Sequence, residues 1–571
     1  MKNYRSLART IPLLSLSLCL TLLFPSNGQA SSIAYATLEQ TDDLSKTIVI
    51  QAGGLESKIS YHCSIETYVC QTIDSASPPT LKPSPSGSIP ANIYDALPES
   101  TRLLKRGYSQ NGKFVFSVTY ADEEIPSRTF TLVDTTSGKT FTKSTPVSLR
   151  DKFFEEARIF SVSPDSKTLA YLDDEAGTPM VTLVDLQNQT GKTIKGAILS
   201  KKQYTVADFL MIDHRTLLFI ANRENPLTWS LFSYDTKTKA VTTIMRHVSY
   251  GERLTMVGGK VVFLRVTGAS VQPTVYNPKN RGTRDLPIPF DNKLSHEIPR
   301  GSVSQYGDSY GALSTPAKTS LKVSHPLILW LHGGPYRQTS AGIHPYQSYG
   351  VYDWVLEEAR KNGAIVLKLD YSGSYGYGTA KANALKGKVG IRDVDDVTNA
   401  LASIKRQLAG KYTIGEVHLV GNSYGGYLAL KGITSKPSLF SGAFSLNGVT
   451  DWSTLLANLN DSIFNQLFEG IPGEENDHLY DNADILYHLG GLSAKHTITI
   501  VQATEDSTID PKQADLLADA LTTKGKPFTL IKIPKEDHVF SKASSITTIC
   551  TSLLASLHLT PNSADRCHFE K

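Results

Sequence analysis

Residues 417–426 read VHLVGNSYGG, and this stretch decides the fold of the second half of the chain. A short apolar run leads into Gly421 and Asn422, and Ser423 is followed within two residues by a Gly-Gly pair and an apolar helical stretch. Glycines on both sides of a serine let the chain turn sharply from a strand into a helix, so that the hydroxyl projects above the edge of a sheet. The pattern is that of a nucleophile elbow, and an ordinary glycine-rich turn is the alternative.

Strands and helices alternate on both sides of this stretch. Apolar runs of strand length are separated by longer stretches with helical periodicity. The apolar runs are Leu327–Leu331, Ala364–Leu369, Val417–Val420, Gly442–Leu446 and Thr497–Val501, and the helical stretches are Tyr349–Lys361, Arg392–Leu408 and Lys512–Lys524. Buried parallel strands that alternate with helices predict a doubly wound, mostly parallel α/β sheet, which we place at residues 306–571. Together with the nucleophile elbow, this sheet indicates an α/β-hydrolase fold.

Two further residues complete a candidate catalytic triad with Ser423. A serine hydroxyl needs a neighbouring base to take its proton, and that base needs a carboxylate to orient it. In this fold the three follow the order serine, acid, histidine, on loops that come after strands. Asp506 and His538 match both requirements. Other acids and histidines match them less well: Glu505, Asp510, His488, His496 and His568.

A second glycine-rich turn, HGGP at residues 332–335, follows the strand Leu327–Leu331 directly. The intermediate of acyl transfer carries an oxyanion, which needs backbone N–H donors that are held rigidly in place. We expect these donors to be the backbone N–H groups of Gly334 and of Tyr424, the residue after the nucleophile. The second half of the chain is therefore predicted to be a hydrolase that forms an acyl-enzyme.

The first half of the chain repeats a β-rich unit. Each unit contains a turn, a strand, a loop and a strand, and it closes at Leu132-Val133-Asp134, Val184-Asp185, Tyr234-Asp235 or Tyr276-Asn277. The closing pairs are 51, 50 and 42 residues apart, which is typical of the blades of a β-propeller. With residues 46–73 as another blade, residues 31–305 are predicted to form a propeller-like domain of about five blades. Two stacked β-sandwich domains are the alternative.

The first thirty residues resemble a secretory signal. Three basic residues precede the apolar run Ile11–Phe24. The small residues Gly28 and Ala30 are typical of a signal-peptide cleavage site before Ser31. We expect a secreted or periplasmic protein that is not held in a membrane after cleavage. The 571 residues carry a net charge of +4, which falls to +1 without the signal, so no basic field remains to bind nucleic acid.

Four cysteines remain after the signal, and they form two local couples. In an exported chain we expect the disulfides Cys63–Cys70 and Cys550–Cys567, with four reduced thiols as the alternative. Neither couple has a second pair nearby at the spacing of zinc ligands. The sequence predicts no metal site and no cofactor.

The second half resembles the prolyl oligopeptidase family of serine peptidases, and its acylaminoacyl-peptidase-like and dipeptidyl-peptidase-like branch in particular. The motifs that carry the resemblance are HGGP at 332–335, GSYGYG at 373–378, SYGGY at 423–427, Asp451-Trp452 and Asp506. The resemblance implies a propeller that caps the hydrolase domain, a substrate that is a short or unfolded peptide, and an acyl pocket lined by Tyr424, Val449, Trp452 and Ile509.

Several positions depart from the family pattern. Gln502-Ala503 replaces a His-Gly pair before the catalytic acid, and Ser372 replaces an arginine. Leu455, Leu459 and Thr508 stand where dipeptidyl peptidases carry two tyrosines and an asparagine, while Glu155-Glu156 could imitate their acidic pair. A broad apolar pocket is therefore the simpler interpretation. The alternatives are an esterase with the same triad and a catalytically inactive binding protein.

Overall fold

The architecture is taken from a computed structural model, which describes the chain in segments. These are residues 35–39, 47–53, 58–72, 102–108, 113–121, 127–146, 158, 160–173, 180–186, 204–251, 253–268, 270–288, 297–317, 321–457, 463–473, 475–560 and 567. The signal predicted at residues 1–30 lies outside these segments, as do Glu155-Glu156, Leu459 and His568.

Within the described segments, the first half contains five antiparallel sheets, each built from strands that are consecutive in the chain. The first contains β1 (Tyr35–Glu39), β2 (Thr47–Gly53), β3 (Lys58–Ser64) and β4 (Val69–Thr72), and the second contains β5 (Arg102–Tyr108), β6 (Phe114–Ala121), β7 (Ser127–Asp134) and β8 (Thr140–Pro146). The third contains β9 (Phe160–Val162), β10 (Thr168–Asp173) and β11 (Met180–Asp185). The fourth contains β12 (Val206–Met211), β13 (Thr216–Asn225), β14 (Thr228–Asp235) and β15 (Val241–Arg246). The fifth contains β16 (Thr255–Val257), β17 (Lys260–Val266), β18 (Val271–Asn277) and β19 (Gly282–Asp285).

These sheets pack face to face, as the blades of a propeller do. In β13, Leu217 and Phe219 share a core with the third sheet, while Leu218 and Ile220 share another with the fifth. The first sheet in turn shares a core with the fifth, and the second with the third. A sheet of a two-sheet sandwich has one covered face, whereas the fourth sheet is covered on both. The sandwich alternative is therefore set aside.

The second half contains one sheet of eight strands in the order β20-β21-β23-β22-β24-β25-β26-β27. Their bounds are β20 Ser302–Tyr306, β21 Ser309–Ser314, β22 Ser324–Leu331, β23 Ile365–Asp370, β24 Thr413–Asn422, β25 Gly442–Leu446, β26 Thr497–Ala503 and β27 Thr529–Ile533. Pairing is antiparallel at β20–β21 and β21–β23 and parallel from β23 to β27. Strand β20 lies across the domain boundary that the sequence placed after residue 305.

Helices cover this sheet. They are α1 (Gln347–Lys361), α2 (Thr379–Ala382), α3 (Arg392–Leu408), α4 (Tyr424–Ser435), α5 (Trp452–Leu456), α6 (Asp477–Ala483), α7 (Lys512–Thr523) and α8 (Ala543–Ser556), with 3₁₀ turns at Asn383–Leu385, Ile463–Phe468 and Leu486–Gly491. Helix α3 illustrates why the helices pack against the sheet. Its apolar residues recur at helical spacing and are all buried: Val394, Val397, Leu401, Ile404 and Leu408. No helix within the described segments has both the length and the apolar character needed to cross a membrane.

Both cysteine couples are disulfide-bonded in the structure. Cys63 and Cys70 occupy opposite positions in the β3–β4 hairpin, and Cys550 in α8 holds Cys567 beyond the end of that helix. The pairing is the one predicted from the spacing of the cysteines.

We predict that peptide mapping under non-reducing conditions finds these same two pairs. The second pair closes a loop of 17 residues, for which the chain-entropy estimate is about 3 kcal/mol of unfolding free energy. Replacing Cys550 and Cys567 together with alanine should lower the unfolding free energy, measured by chemical denaturation, by about that amount. The same change at Cys63 and Cys70, seven residues apart, should cost about 2 kcal/mol. Free thiols or a pairing across the couples would contradict the prediction.

Candidate active site

Ser423 lies in the turn between β24 and α4, with φ 55° and ψ −123°. This left-handed backbone conformation is strained for a residue with a side chain and costs about 1–3 kcal/mol. Neighbouring glycines make the turn possible, since a methyl group on Gly425 would lie 1.9 Å from the Leu331 carbonyl oxygen. The backbone N–H of Ser423 donates to the Leu446 carbonyl oxygen at 2.8 Å and fixes the turn on β25.

Asp506 and His538 meet beyond the ends of β26 and β27. His538 Nδ1 lies 3.0 Å from Asp506 Oδ1 and 2.9 Å from Oδ2. The backbone N–H groups of Thr508 and Ile509 donate to Oδ1 at 2.9 and 2.8 Å, and the carboxylate is fully shielded from solvent. A carboxylate held by three donors keeps one orientation, so it can hold the imidazole in one orientation as well.

Asn447 connects these groups to the serine turn. Its side-chain Nδ2 donates to the His538 carbonyl oxygen at 3.0 Å, and its Oδ1 accepts from the Ala503 N–H at 2.8 Å. Asn447 directly follows Leu446, whose carbonyl binds the Ser423 N–H. The loops that carry the three triad candidates are therefore joined by one residue. No sequence motif marked Asn447, because its role depends on three strands that are distant in the chain.

Asp537 makes a second connection, which the sequence also left unmarked. Its carboxylate accepts from the Ser507 N–H at 2.7 Å, the Ser507 hydroxyl at 2.9 Å and the His538 N–H at 2.7 Å. Burial raises the pKa of Asp537, but the hydrogen bonds from Ser507 and His538 outweigh burial and hold it below its ordinary value. The ionised carboxylate thus ties the loop of Asp506 to the loop of His538.

The HGGP turn, residues 332–335, lies against the serine turn. A methyl group built on Gly333 would lie 3.0 Å from Ser423 Cβ and 3.1 Å from the Tyr349 hydroxyl. Gly334 adopts φ 125°, which only glycine tolerates, and Tyr424 is the first residue of α4. The N–H groups of a first helical turn have no carbonyl partner within the helix. Both expected oxyanion donors are therefore on elements that adjoin Ser423.

His332 supports this turn from beneath. Burial lowers its pKa to about 4, so the ring is neutral at pH 7. Because the Gly333 carbonyl can only accept, His332 Nδ1 donates to it at 2.8 Å, which leaves Nε2 to accept from the Ser374 hydroxyl at 2.9 Å. The Tyr371 hydroxyl donates to the His332 carbonyl at 2.5 Å.

The residues expected to line the acyl pocket are buried near these turns. Trp452 lies within 5.8 Å, centroid to centroid, of four aromatic rings, those of Tyr424, Tyr427, Phe464 and Phe468. The N–H of Ile509 binds Asp506, and Val449 follows Asn447 by two residues. The Tyr424 hydroxyl donates to Asp393 at 2.7 Å. Burial raises the pKa of that carboxyl to about 6.

The competing candidates make other contacts. Asp510 accepts from the N–H of Lys512 at the start of α7, and Glu505 is exposed. His488 Nε2 lies 3.2 Å from the Asp481 carbonyl, and His496 Nε2 lies 3.0 Å from the Pro437 carbonyl. Among the described residues, no cluster of histidine, cysteine and acidic side chains has the size of a metal site.

Two departures from the family pattern have visible replacements. Gln502 donates to Asp506 Oδ2 at 3.4 Å, so an amide contacts the acid at the position where the resemblance implies a histidine. The N–H of Ser372 donates to Asp396, whose carboxylate also lies 3.5 Å from Lys381 and from Arg392. Cations from α2 and α3 therefore face this carboxylate in a chain that lacks the usual arginine.

Comparisons with known proteins agree with this geometry. A model of the prolyl oligopeptidase family matches residues 351–555. Dipeptidyl aminopeptidase BIII of Pseudoxanthomonas mexicana is 28% identical over 225 residues, which make up 38% of this chain and 30% of that protein. The acylamino-acid-releasing enzyme of Rattus norvegicus is 24% identical over 343 residues, 55% of this chain and 45% of that enzyme. The chain thus spans less than half the length of these curated relatives.

A solved structure extends the likeness to the first half. A Mycobacterium tuberculosis puromycin-hydrolyzing peptidase matches with a TM-score of 0.66 and 16% identity, over 93% of this chain and 79% of that chain. At this identity the likeness shows the fold. The predicted α/β-hydrolase domain behind a propeller-like domain is confirmed, as is the resemblance to the family.

Proposed function

We propose that this chain is a serine peptidase that hydrolyses short peptides with Ser423, Asp506 and His538, since its residues 351–555 match the prolyl oligopeptidase family. The observation that carries the proposal is the hydrogen bond between His538 Nδ1 and Asp506, since a ring held at Nδ1 has its other nitrogen, Nε2, to serve as the base for a nucleophile. The strained turn at Ser423 supplies a hydroxyl of the kind that such a base activates.

The proposed reaction has two halves. Ser423 Oγ attacks the carbonyl carbon of the scissile peptide bond while His538 Nε2 accepts its proton, and the backbone N–H groups of Gly334 and Tyr424 stabilise the oxyanion. The imidazolium then gives the proton to the leaving amine as the carbon–nitrogen bond breaks. Water, activated by the same imidazole, hydrolyses the acyl-enzyme and restores Ser423. Asp506 orients the ring throughout and stabilises the imidazolium.

Short peptides are the proposed substrates because the propeller packs beside the catalytic loops. Asn222 Nδ2 of the fourth sheet donates to the Gly376 carbonyl at 2.8 Å, and Trp229 Nε1 donates to Gln338 at 2.7 Å. A domain held against the loops of the site limits the size of the substrate that can enter. The peptidases named above as relatives are consistent with a peptide substrate.

A broad apolar preference is our proposal for the acyl pocket. Val449, Trp452 and Ile509 are each at most 5% exposed and supply an apolar wall. Leu455 stands where a tyrosine would clasp a proline ring. One methylene in an apolar pocket discriminates by only about 1–3 kcal/mol, so no single residue should dominate.

We predict similar kcat/KM values for matched peptides with alanine, leucine or phenylalanine before the scissile bond, and no strong preference for proline. The measurement uses one peptide series with a fluorogenic leaving group. A hundredfold preference for proline, which is about 2.7 kcal/mol, would contradict the pocket assignment. Rapid digestion of a folded protein would contradict the proposed limit on substrate size.

An oxidising compartment, outside the cell or in the periplasm, is the proposed location. The two disulfides support it, because such bonds persist mainly outside the cytosol. The secretory signal read at residues 1–30 is the second argument. Sequencing the amino terminus of the exported protein tests the proposed cut before Ser31.

Labelling by a fluorophosphonate probe tests the function itself. Labelling at Ser423, together with measurable hydrolysis of the peptide in a matched pair of peptide and ester substrates, is the expected result. Turnover of the ester with no turnover of the matched peptide would favour the esterase alternative. Absence of labelling in a folded sample would favour the inactive binding protein.

A further inference from the structure

We propose that Trp229, a propeller residue, is a positioning residue for the HGGP turn of the hydrolase domain. This inference rests on the proposed peptidase function, in which that turn supplies an oxyanion donor. Trp229 lies at the start of β14 and is 4% exposed, so it is buried where the fourth sheet meets the hydrolase domain. None of the hydrogen bonds and ring contacts described for it involves a triad candidate, so its effect would pass through the two glycine-rich loops beside Ser423.

The first contact is a pair of hydrogen bonds with Gln338, three residues beyond the HGGP turn. Trp229 Nε1 donates to Gln338 Oε1 at 2.7 Å, and Gln338 Nε2 donates to the Pro226 carbonyl at 2.8 Å. Because an indole only donates and a carbonyl only accepts, the orientation of this amide is determined. Gln338 is fully buried, and an unpaired polar atom in such a site is costly. Both polar atoms of its side chain are paired with propeller residues.

The second contact is a ring stack with Tyr375, on the loop Gly373–Gly376. The Trp229 and Tyr375 centroids are 5.5 Å apart with an interplanar angle of 5°. Asn222 of the fourth sheet donates to the carbonyl of Gly376, the last residue of that loop, at 2.8 Å. The propeller thus holds this loop by one aromatic face and one hydrogen bond.

The two loops are joined to each other and to the catalytic turn. The Tyr375 N–H donates to the Arg337 carbonyl at 2.8 Å. Ser374, which precedes Tyr375, donates to His332 Nε2, and His332 begins the HGGP turn. A continuous set of buried contacts therefore runs from Trp229 through Tyr375 and Ser374 to His332, and another runs through Gln338.

Small displacements of this turn should be costly to the reaction. An oxyanion donor works only within hydrogen-bond distance of the developing charge, and losing one lowers kcat by roughly 10²–10³. A ground-state peptide bond makes weaker use of the same donors, so substrate binding should change less. Loosening the Trp229 contacts should therefore reduce kcat and leave KM nearly unchanged.

The test compares Trp229→Phe with wild type and with a control on the same strand. The phenylalanine keeps an aromatic face for Tyr375 and removes the N–H that binds Gln338. The control, Phe232→Leu, weakens the stack of Phe232 on Phe219 inside the propeller, away from the hydrolase loops. Gln338→Met approaches the same hydrogen bond from the hydrolase side. Each variant is measured for melting temperature, kcat, KM and the inhibition constant of a peptide aldehyde, whose adduct with the serine carries an oxyanion.

We expect Trp229→Phe and Gln338→Met each to lower kcat at least tenfold and to weaken the aldehyde by a similar factor, with KM within about twofold. The kcat of the double variant should be no lower than that of the less active single variant. Phe232→Leu should keep the wild-type kcat, KM and inhibition constant per folded molecule. Wild-type kcat and aldehyde affinity in Trp229→Phe would overturn the inference. The inference would also be overturned if every variant, including Phe232→Leu, lost activity only in proportion to its loss of folded protein. Ser423→Ala is measured in parallel: if it retains activity, the proposed function fails first and the inference fails with it.

Discussion

Replacing Ser423 with alanine is expected to lower kcat for peptide hydrolysis by about a millionfold and to leave the fold intact. The change removes one oxygen atom and keeps the hydrogen bond from the backbone N–H of residue 423 to the Leu446 carbonyl, on which the turn depends. Without the hydroxyl no acyl-enzyme forms, and only the binding groups and the oxyanion donors remain to assist water.

The measurement is kcat on a fluorogenic peptide, with circular dichroism and melting temperature as checks on folding. A matched control is Ser435→Ala, at the opposite end of the same helix α4, which should retain wild-type activity. Activity in the Ser423 variant above about one thousandth of wild type, in a sample free of contaminating peptidase, would remove Ser423 from the role of nucleophile.

Replacing Asp506 with asparagine is expected to lower kcat by about 10⁴. The amide oxygen can still accept from the N–H groups of Thr508 and Ile509, so the loop should keep its shape. The amide nitrogen would then face His538 Nδ1 and donate to it. That arrangement places the imidazole proton on Nε2, where the ring can no longer accept a proton from Ser423.

Asp510→Asn is the matched control for this variant. Asp510 is an exposed carboxylate four residues along the chain that binds only the N–H of Lys512 among the contacts described for it. Its loss should change kcat by less than twofold. Equal losses in both variants, or a larger loss at Asp510, would show that the acid of the triad has been misassigned.

The hydrolase fold could be predicted closely because its signals are local. Strand β25 and helix α3 have the bounds expected from the apolar pattern of the sequence. Glycines beside Ser423 marked the turn because only glycine fits where a methyl group would strike the neighbouring backbone. The propeller units could be predicted for a similar reason. Each unit is formed by strands that are consecutive in the chain and joined by their own turns, so the pattern repeats along the sequence. The exact domain boundary and the catalytic roles of the triad residues stay predictions.

By itself the sequence determined the fold class, the disulfide pairs and the family resemblance, because each depends on neighbours in the chain or on a known spacing. Only the tertiary structure revealed what holds the site together. Asn447 and Asp537 join loops that follow different strands, and Trp229 reaches Gln338 across 109 residues of sequence. A buried polar side chain has no preferred partner until folding brings one within hydrogen-bond distance. The role of such a residue therefore depends on how the domains pack, and neither periodicity nor a sequence motif predicts it.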